Sequence, residues 1–356
     1  MSDTSRARQI LTTATKAQAS DIFIIAGLPL TYKVNGIMHS EGERLMPNDT
    51  LELIQEIYTL AEDRKTEHLT ECGDDDFSFA IPGMSRYRAS AYKQRGSYAA
   101  VIRTIAFELP NPELLHIPQV VLDQAKATTG IILITGKAGS GKSTTLACLV
   151  DRINSTRENH IITLEDPLEF LHRHKKSIVS QREIASDTDN YLTALRAALR
   201  QSPDVILLGE MRDHETIQTA MTAAETGHLV LSSLHTIGAA SSISRIIDVF
   251  EPSQQRQIAV QLSMVLRAVI SQQLVPAVDG TIIPAFEVMV MTPAISNMIR
   301  NGNVHQIGKI YSFAAKDDMI SMDSSLYQLY CSGTITKETA IHYSNNQRMM
   351  EQKLGL

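Results

Sequence analysis

Gly136-Lys-Ala-Gly-Ser-Gly-Lys-Ser143 is a complete G-x-x-x-x-G-K-S phosphate loop with the flanks that motif needs. The apolar β-type run Ile131-Ile-Leu-Ile-Thr135 leads into it, and the helix-forming run Thr144-Thr-Leu-Ala-Cys-Leu-Val150 follows it. The order strand, glycine loop, helix is set by anion chemistry. Backbone at Gly136, Ala138, Gly139, Ser140 and Gly141 can curl its amides around a phosphate, and a helix opening at Lys142, Ser143 and Thr144 presents its positive end to the same charge. The Lys142 side chain then reaches the β- and γ-phosphates, and the Ser143 hydroxyl suits a Mg²⁺ ion. A glycine-rich turn that binds nothing is the competing reading, and the full-length motif between correct flanks weighs against it.

Cleaving a nucleotide takes more than a cradle. It takes an acid near Mg²⁺, a group to activate water and a cation or sensor for the γ-phosphate. Pro203-Asp-Val-Ile-Leu-Leu-Gly-Glu-Met-Arg-Asp213 is an apolar strand ending in an acid, Glu210. In parallel α/β sheets ligands gather at that edge. Thr163-Leu-Glu-Asp-Pro-Leu-Glu-Phe170 sets Glu165, Asp166 and Glu169 at the end of another short strand. Glu165 is a candidate base and Asp166 a Mg²⁺-side acid, although a solvated acidic turn would look similar. Either Glu165 or Glu210 can serve as the principal base. Thr226-Gly-His-Leu-Val-Leu-Ser-Ser-Leu-His-Thr236 puts His228 and His235 at the two ends of an apolar strand. His235 is placed to donate to a γ-phosphate. His228 is a further catalytic candidate, with a histidine closing a helix beside Gly227 as its alternative.

The rest of the chain organises around this core. Residues 5–18 read as a helix, and Asp21–Ile25, Leu30–Val34 and Ile37–His39 as strands, with Asn35-Gly36 as a type I′ turn. Pro47-Asn-Asp-Thr50 opens a helix over Leu51–Leu60 with Asn48 or Asp49 as N-cap. Strands follow at Asp76–Ile81, Arg86–Gln94 and Tyr98–Ile105. Pro110, Pro112 and Pro118 mark a stiff linker, so the expected domains are 1–108, a linker at 109–118, and 119–356. Beyond it, apolar β runs at 131–135, 161–164, 205–209 and 229–234 alternate with helical stretches, the pattern of a parallel sheet wrapped by helices. From Pro252 the chain reads as helical, over Pro252–Leu274, 293–301, 322–332 and 336–348. The expected fold class is α/β, with a small α+β unit ahead of it.

Composition narrows the function. Over 356 residues the net charge is −6, tryptophan is absent and aromatics make up 5%, which argues against direct nucleic-acid contact. Cys72, Cys148 and Cys331 form no C-x-x-C pair and indicate neither a disulfide framework nor a zinc site. Cys148, on the helix after the loop, reads as core packing. No apolar run is long enough to span a bilayer, and the N-terminus lacks the apolar core of a signal peptide. Arg86, Arg88, Arg95 and Arg103 lie on or between strands of the first domain. They read as solvated strand residues or as arginine fingers for a nucleotide on a neighbouring subunit.

Four elements in this order resemble the secretion-type ATPases of the type II/type IV family, and within it the PilT-type pilus-retraction ATPases. They are Gly136–Ser143 (Walker A), Glu165-Asp-Pro-Leu-Glu169 (Asp box), Gly209-Glu-Met-Arg-Asp213 (Walker B), and Ala224-Glu-Thr-Gly-His228 through Leu234-His-Thr236 (His box). The resemblance implies a PAS-like N-terminal domain, a RecA-like P-loop ATPase domain with a helical C-terminal extension, and ATP with Mg²⁺ as ligands. It further implies a homo-hexamer in which Arg88, Arg95 and Arg103 help to bind the γ-phosphate. Such a ring works in the cytoplasm, at the inner face of the membrane, on a pilus platform protein. Ala294-Ile-Ser-Asn-Met-Ile-Arg-Asn301 departs from the subfamily's A-I-R-N-L-I-R-E segment at Ser296 and Asn301. Related motors of type II secretion, DNA uptake or conjugation, and P-loop kinases, are the alternatives.

Overall fold

The computed structural model describes residues 5–34, 36–105, 109–310 and 319–355. The Asn35-Gly36 turn lies, through Asn35, outside the described residues. The chain divides into two compact units, Met1–Glu108 with Glu169–Leu171, and Leu109–Leu168 with His172–Leu356.

The first unit holds α1 (Arg6–Lys16), β1 (Asp21–Ile24), β2 (Pro29–Val34), β3 (Ile37–Arg44), α2 (Pro47–Leu60), α3 (Glu67–Cys72), β4 (Asp74–Ile81), β5 (Ser85–Gln94) and β6 (Ser97–Ile105). The strands pair antiparallel in the order β3-β2-β1-β6-β5-β4. One face of the sheet is apolar and packs on α1 and α2 through Leu11, Ile22, Leu53, Ile57, Tyr87 and Ile102. The start of α2 differs from expectation. Pro47 takes the first helical position, Met46 is the N-cap, and Asp49 reaches back to accept the Met46 amide at 2.7 Å. Proline wins the first turn because its missing N–H loses nothing there.

The second unit runs α4 (Gln119–Asp123), β7 (Gly130–Thr135), α5 (Lys142–Thr156), β8 (His160–Glu165), β9 (Ile178–Glu183), α6 (Tyr191–Ala198), β10 (Val205–Leu208), α7 (His214–Glu225), β11 (Leu229–Leu234), α8 (Ala239–Asp248), α9 (Pro252–Val265), β12 (Leu266–Pro276) and β13 (Ile282–Val290). It closes with α10 (Pro293–Arg300), α11 (Ile307–Ile310), α12 (Met322–Cys331), α13 (Lys337–Tyr343) and α14 (Gln347–Lys353). Its sheet has the order β13-β12-β7-β11-β10-β8-β9. All neighbours are parallel except β12 and β13. Helices bury both faces of the sheet, in two separate apolar clusters. Cys148 belongs to one of them, and burial pushes its thiol up to about 12.

Three readings of the C-terminal part need correction. Residues 266–274 continue no helix: α9 stops at Val265 and β12 pairs with the phosphate-loop strand β7. β13 is a further strand where none was expected. The helix expected over 336–348 is two helices, parted at Ser344–Asn346.

In the first unit, the buried carboxylate of Asp75 accepts from the Tyr58 hydroxyl at 2.8 Å and from Arg64 Nε and Nη2 at 3.0 and 2.8 Å. Burial alone would raise its pKa. The hydrogen bonds from Arg64 and Tyr58, with the adjacent positive charges, overcome that and hold it below the usual carboxylate range. A depressed folded-state pKa stabilises fully above the unfolded value near ~4 and is lost as pH falls through the folded one. Acid unfolding should therefore steepen below about pH 4. Asp75→Asn should remove about 2 kcal/mol at neutral pH and flatten that limb, as read by thermal melts across an acid titration.

Candidate nucleotide site

The phosphate loop joins β7 to α5 and is shaped by glycines at positive φ, +146° at Gly136, +74° at Gly139 and +84° at Gly141. At Gly136 a side chain has no room: a Cβ would lie 2.2 Å from the Gln272 carbonyl oxygen and 2.6 Å from Ser140 Oγ. At Gly141 it would lie 2.8 Å from Gln272 Nε2. Gln272 also accepts from Thr145 Oγ1 at 2.6 Å, which ties α5 to β12. Ser140 Oγ is buried and has no partner among the described residues. Ala138 and Gly139 are exposed at the tip, while Ser143 and Thr144 stand half-buried at the start of α5, where amides lack intrahelical acceptors. Glycine-only backbone, an orphaned hydroxyl and a helix N-terminus together fit a polyphosphate.

Four charged or ionisable groups form a chain beside the loop. Lys142 Nζ, buried, donates to Gly136 O and Lys137 O at 3.0 Å each, and lies 3.4 Å from His235 Nδ1. His235 Nε2 lies 3.3 Å from Glu210 Oε2, and Glu210 Oε1 pairs with Arg212. A lysine ammonium can only donate, so Nδ1 of His235 accepts and Nε2 carries the proton to Glu210. Strand order produces this chain. β7, β11, β10 and β8 are consecutive in the sheet, and Lys142, His235, Glu210 and Glu165 all follow or end their carboxyl ends.

Glu165 ends β8, and its Oε1 lies 3.4 Å from Gln181 Nε2 on β9. Asp166 follows it, exposed. Tyr191, at the start of α6, lies near these acids. Burial raises its phenol pKa, and the charges of Asp166, Glu210 and Glu165 raise it further. Among the described residues no group of three His, Cys, Asp or Glu side chains is set to hold a metal unaided. A Mg²⁺ carried on phosphates needs only one or two protein ligands, and Ser143, Asp166 and Glu210 supply donors of the right hardness.

Within the second unit, one sequence-selected residue stands apart from this group. His228 precedes β11 at its other end, roughly 20 Å of strand from His235. Its Nδ1 lies 2.8 Å from Ala223 O and 3.2 Å from Thr226 Oγ1, so within one chain it closes α7. Arg88 and Arg103 belong to the first unit, where they are direct cross-strand partners. Arg103 Nε pairs with Asp21 Oδ1 at 3.1 Å. Arg95 sits at the β5–β6 hairpin tip with φ +49°, followed by Gly96 at +80°. Sequence reasoning missed Gln272 and gave no role to Arg212 or Tyr191. Arg212 was legible beside Glu210. Gln272 was hidden in a stretch read as helix.

A family profile described as "Type II/IV secretion system protein" matches residues 4–283. The chain is 41% identical over 332 residues to the type IV pilus retraction ATPase PilT of Pseudomonas aeruginosa, covering 93% of this chain and 96% of that protein. It is 44% identical over 276 residues to a twitching motility protein of Neisseria gonorrhoeae, covering 77% of this chain and 74% of that one. A crystal structure described as the pilus retraction motor PilT with bound ADP superposes with a TM-score of 0.89 at 41% identity, covering 98% of this chain and 100% of the other. The protein belongs to the type II/IV secretion system protein family.

Gly136→Ala should force the loop away from Gln272. We expect at least a tenfold loss of affinity for a fluorescent ATP analogue, with destabilisation of about 2 kcal/mol, measured by titration and thermal melting.

Proposed function

We propose that this chain is a subunit of an ATP-hydrolysing motor that powers type IV pilus retraction and twitching motility. The observation that carries the reading is the Lys142–His235–Glu210 chain beside a glycine-only phosphate cradle, in a chain similar along its length to a retraction motor solved with ADP. In this reading residues 1–108 are a PAS-like domain, 109–118 the linker, and 119–356 a RecA-like ATPase domain with a helical extension. ATP lies on Gly136–Thr144 with Lys142 on its β- and γ-phosphates. Glu210, oriented by His235, takes the proton of the attacking water, and Glu165 assists from the adjacent strand. Ser143, Asp166 and Glu210, in part through water, would hold a Mg²⁺ ion, which would supply charge neutralisation on the phosphate oxygens. His235 senses the γ-phosphate because it already spans the lysine and the base. His228 is left to a structural role at the end of α7.

Arg88, Arg95 and Arg103 act on the γ-phosphate in a homo-hexamer, and hydrolysis changes the angle between the domains. The ring works in the cytoplasm on an inner-membrane platform protein. No helix among the described residues is long and apolar enough to cross a membrane, so attachment through such a partner suits the chain. The departure at Ser296 is accommodated locally, since its hydroxyl donates to Ser263 O at 2.9 Å and pins α10 to α9.

Lys142→Ala should abolish nucleotide binding. Glu210→Gln should retain ATP while hydrolysing it roughly a hundredfold more slowly. Equal turnover by the Glu210 variant and the parent would remove that residue from the mechanism. Arg103→Ala should slow hydrolysis with little change in melting temperature, read by turnover and melts on the same samples.

A further inference from the structure

Tyr191 is the first residue of α6, and that helix start is fixed by Asn190, whose Oδ1 accepts the Thr193 amide at 2.9 Å. Its ring packs against the apolar cluster beneath the sheet edge. Its hydroxyl emerges where the ends of β8 and β10 meet. A Cβ built on Gly209 would lie 2.7 Å from the Tyr191 hydroxyl, 3.3 Å from Leu164 O and 3.5 Å from Glu165 Cα. Gly209 itself donates to Leu164 O at 2.8 Å and accepts from Ser233 Oγ at 2.6 Å, so the backbone against which the hydroxyl rests is held on both sides. Glu165 thus adjoins this point, and Glu210 is one residue beyond Gly209.

The electrostatics agree with the placement. Burial, and then the charges of Asp166, Glu210 and Glu165, keep the phenol proton in place. A carboxylate only accepts hydrogen bonds, so neighbouring acids cannot orient one another. A neutral hydroxyl among them both donates and accepts.

We propose that Tyr191 is a positioning residue for hydrolysis: its hydroxyl donates where the ends of β8 and β10 meet and fixes the angle at which Glu165 and Glu210 address the attacking water. The inference rests on the ATP-hydrolysis reading above. A Cβ at position 209 would press on the hydroxyl at 2.7 Å, so the glycine leaves it room.

The test compares the full-length parent with Tyr191→Phe in steady-state hydrolysis, binding of a fluorescent ATP analogue and thermal melting. The variant should lose roughly tenfold in kcat, the size of one hydrogen bond to a charged group. KM, analogue affinity and melting temperature should stay at parent values, because the ring still packs. Tyr191→Leu, which also removes the ring, should lower the melting temperature and so separate packing from positioning. An unchanged kcat in Tyr191→Phe beside an active parent overturns the role of the hydroxyl. So does a fall in kcat matched by equal losses of analogue affinity and melting temperature, which is a packing defect. A parent that hydrolyses no ATP overturns the prior reading instead.

Discussion

The second unit is organised by one close approach, the phosphate loop pressed against β12. With Gly136 and Gly141 both against Gln272, and Gln272 bonded to Thr145, the loop has no freedom to collapse or drift. Its shape is therefore set by sheet packing before any ligand arrives, which is what makes a backbone cradle effective: the amides are already ordered. The same strand carries the constraint outward. Ser271 Oγ accepts the Gly238 amide at 2.9 Å, and its cross-strand partner Glu287 accepts the Ala239 amide at 2.8 Å, so β12 and β13 pin the turn that follows His235. Gln273 donates to Tyr343 O and Asn345 to Glu287, which tie the C-terminal helices to the same two strands. Cradle, sensor turn and C-terminal layer thus share one support.

The row of groups beside the cradle sets each buried charge against a partner, and that pairing makes its burial tolerable. Lys142 is buried with carbonyl and imidazole partners, and Glu210 is buried between an arginine and a histidine. Each would be destabilising alone. A triphosphate entering this row competes with the Gly136 and Lys137 carbonyls for the lysine. Any shift of Lys142 is then felt by His235 and, through it, by Glu210. In the proposed mechanism, sensing and water activation are linked because one imidazole serves both ends.

Much of this was legible in the sequence, and the misses have physical causes. The phosphate loop, the acids ending β8 and β10 and the histidine after β11 follow from motif and strand-end logic, because parallel sheets place functional groups at one edge. The chain linking Lys142, His235 and Glu210 needed strand order, which local pattern does not contain. The strand between His228 and His235 was also legible, and with it the helix-closing alternative for His228. Residues 266–274 were misread because the short apolar run Ala268-Val-Ile270 followed by Ser271, Gln272 and Gln273 shows no period-2 alternation and suits a helix turn as well as a strand. No Gly or Pro marks the junction at Val265–Leu266. β9 was missed because an edge strand reading Ile-Val-Ser-Gln-Arg-Glu buries little.

The first unit breaks a local rule. Arg88 and Arg103 face each other across neighbouring strands, and like charges directly opposite are destabilising. Asp21, cross-strand to Arg103 on the other side, offsets part of that repulsion through its ion pair. The alternation of β5 puts Tyr87 and Ala89 into the core and Arg88 on the opposite face, so the repulsion is not relieved by burial contacts. A sheet that keeps such a pair is organised for something other than its own stability. An anion carrying several charges would remove the conflict, and in the function proposed above the γ-phosphate is that anion. On that proposal its loss on hydrolysis would restore the repulsion. Moving a two-state equilibrium from 1:99 to 99:1 takes about 5.5 kcal/mol of differential binding, and arginines that gained and lost their counter-charge with each turnover would supply part of it.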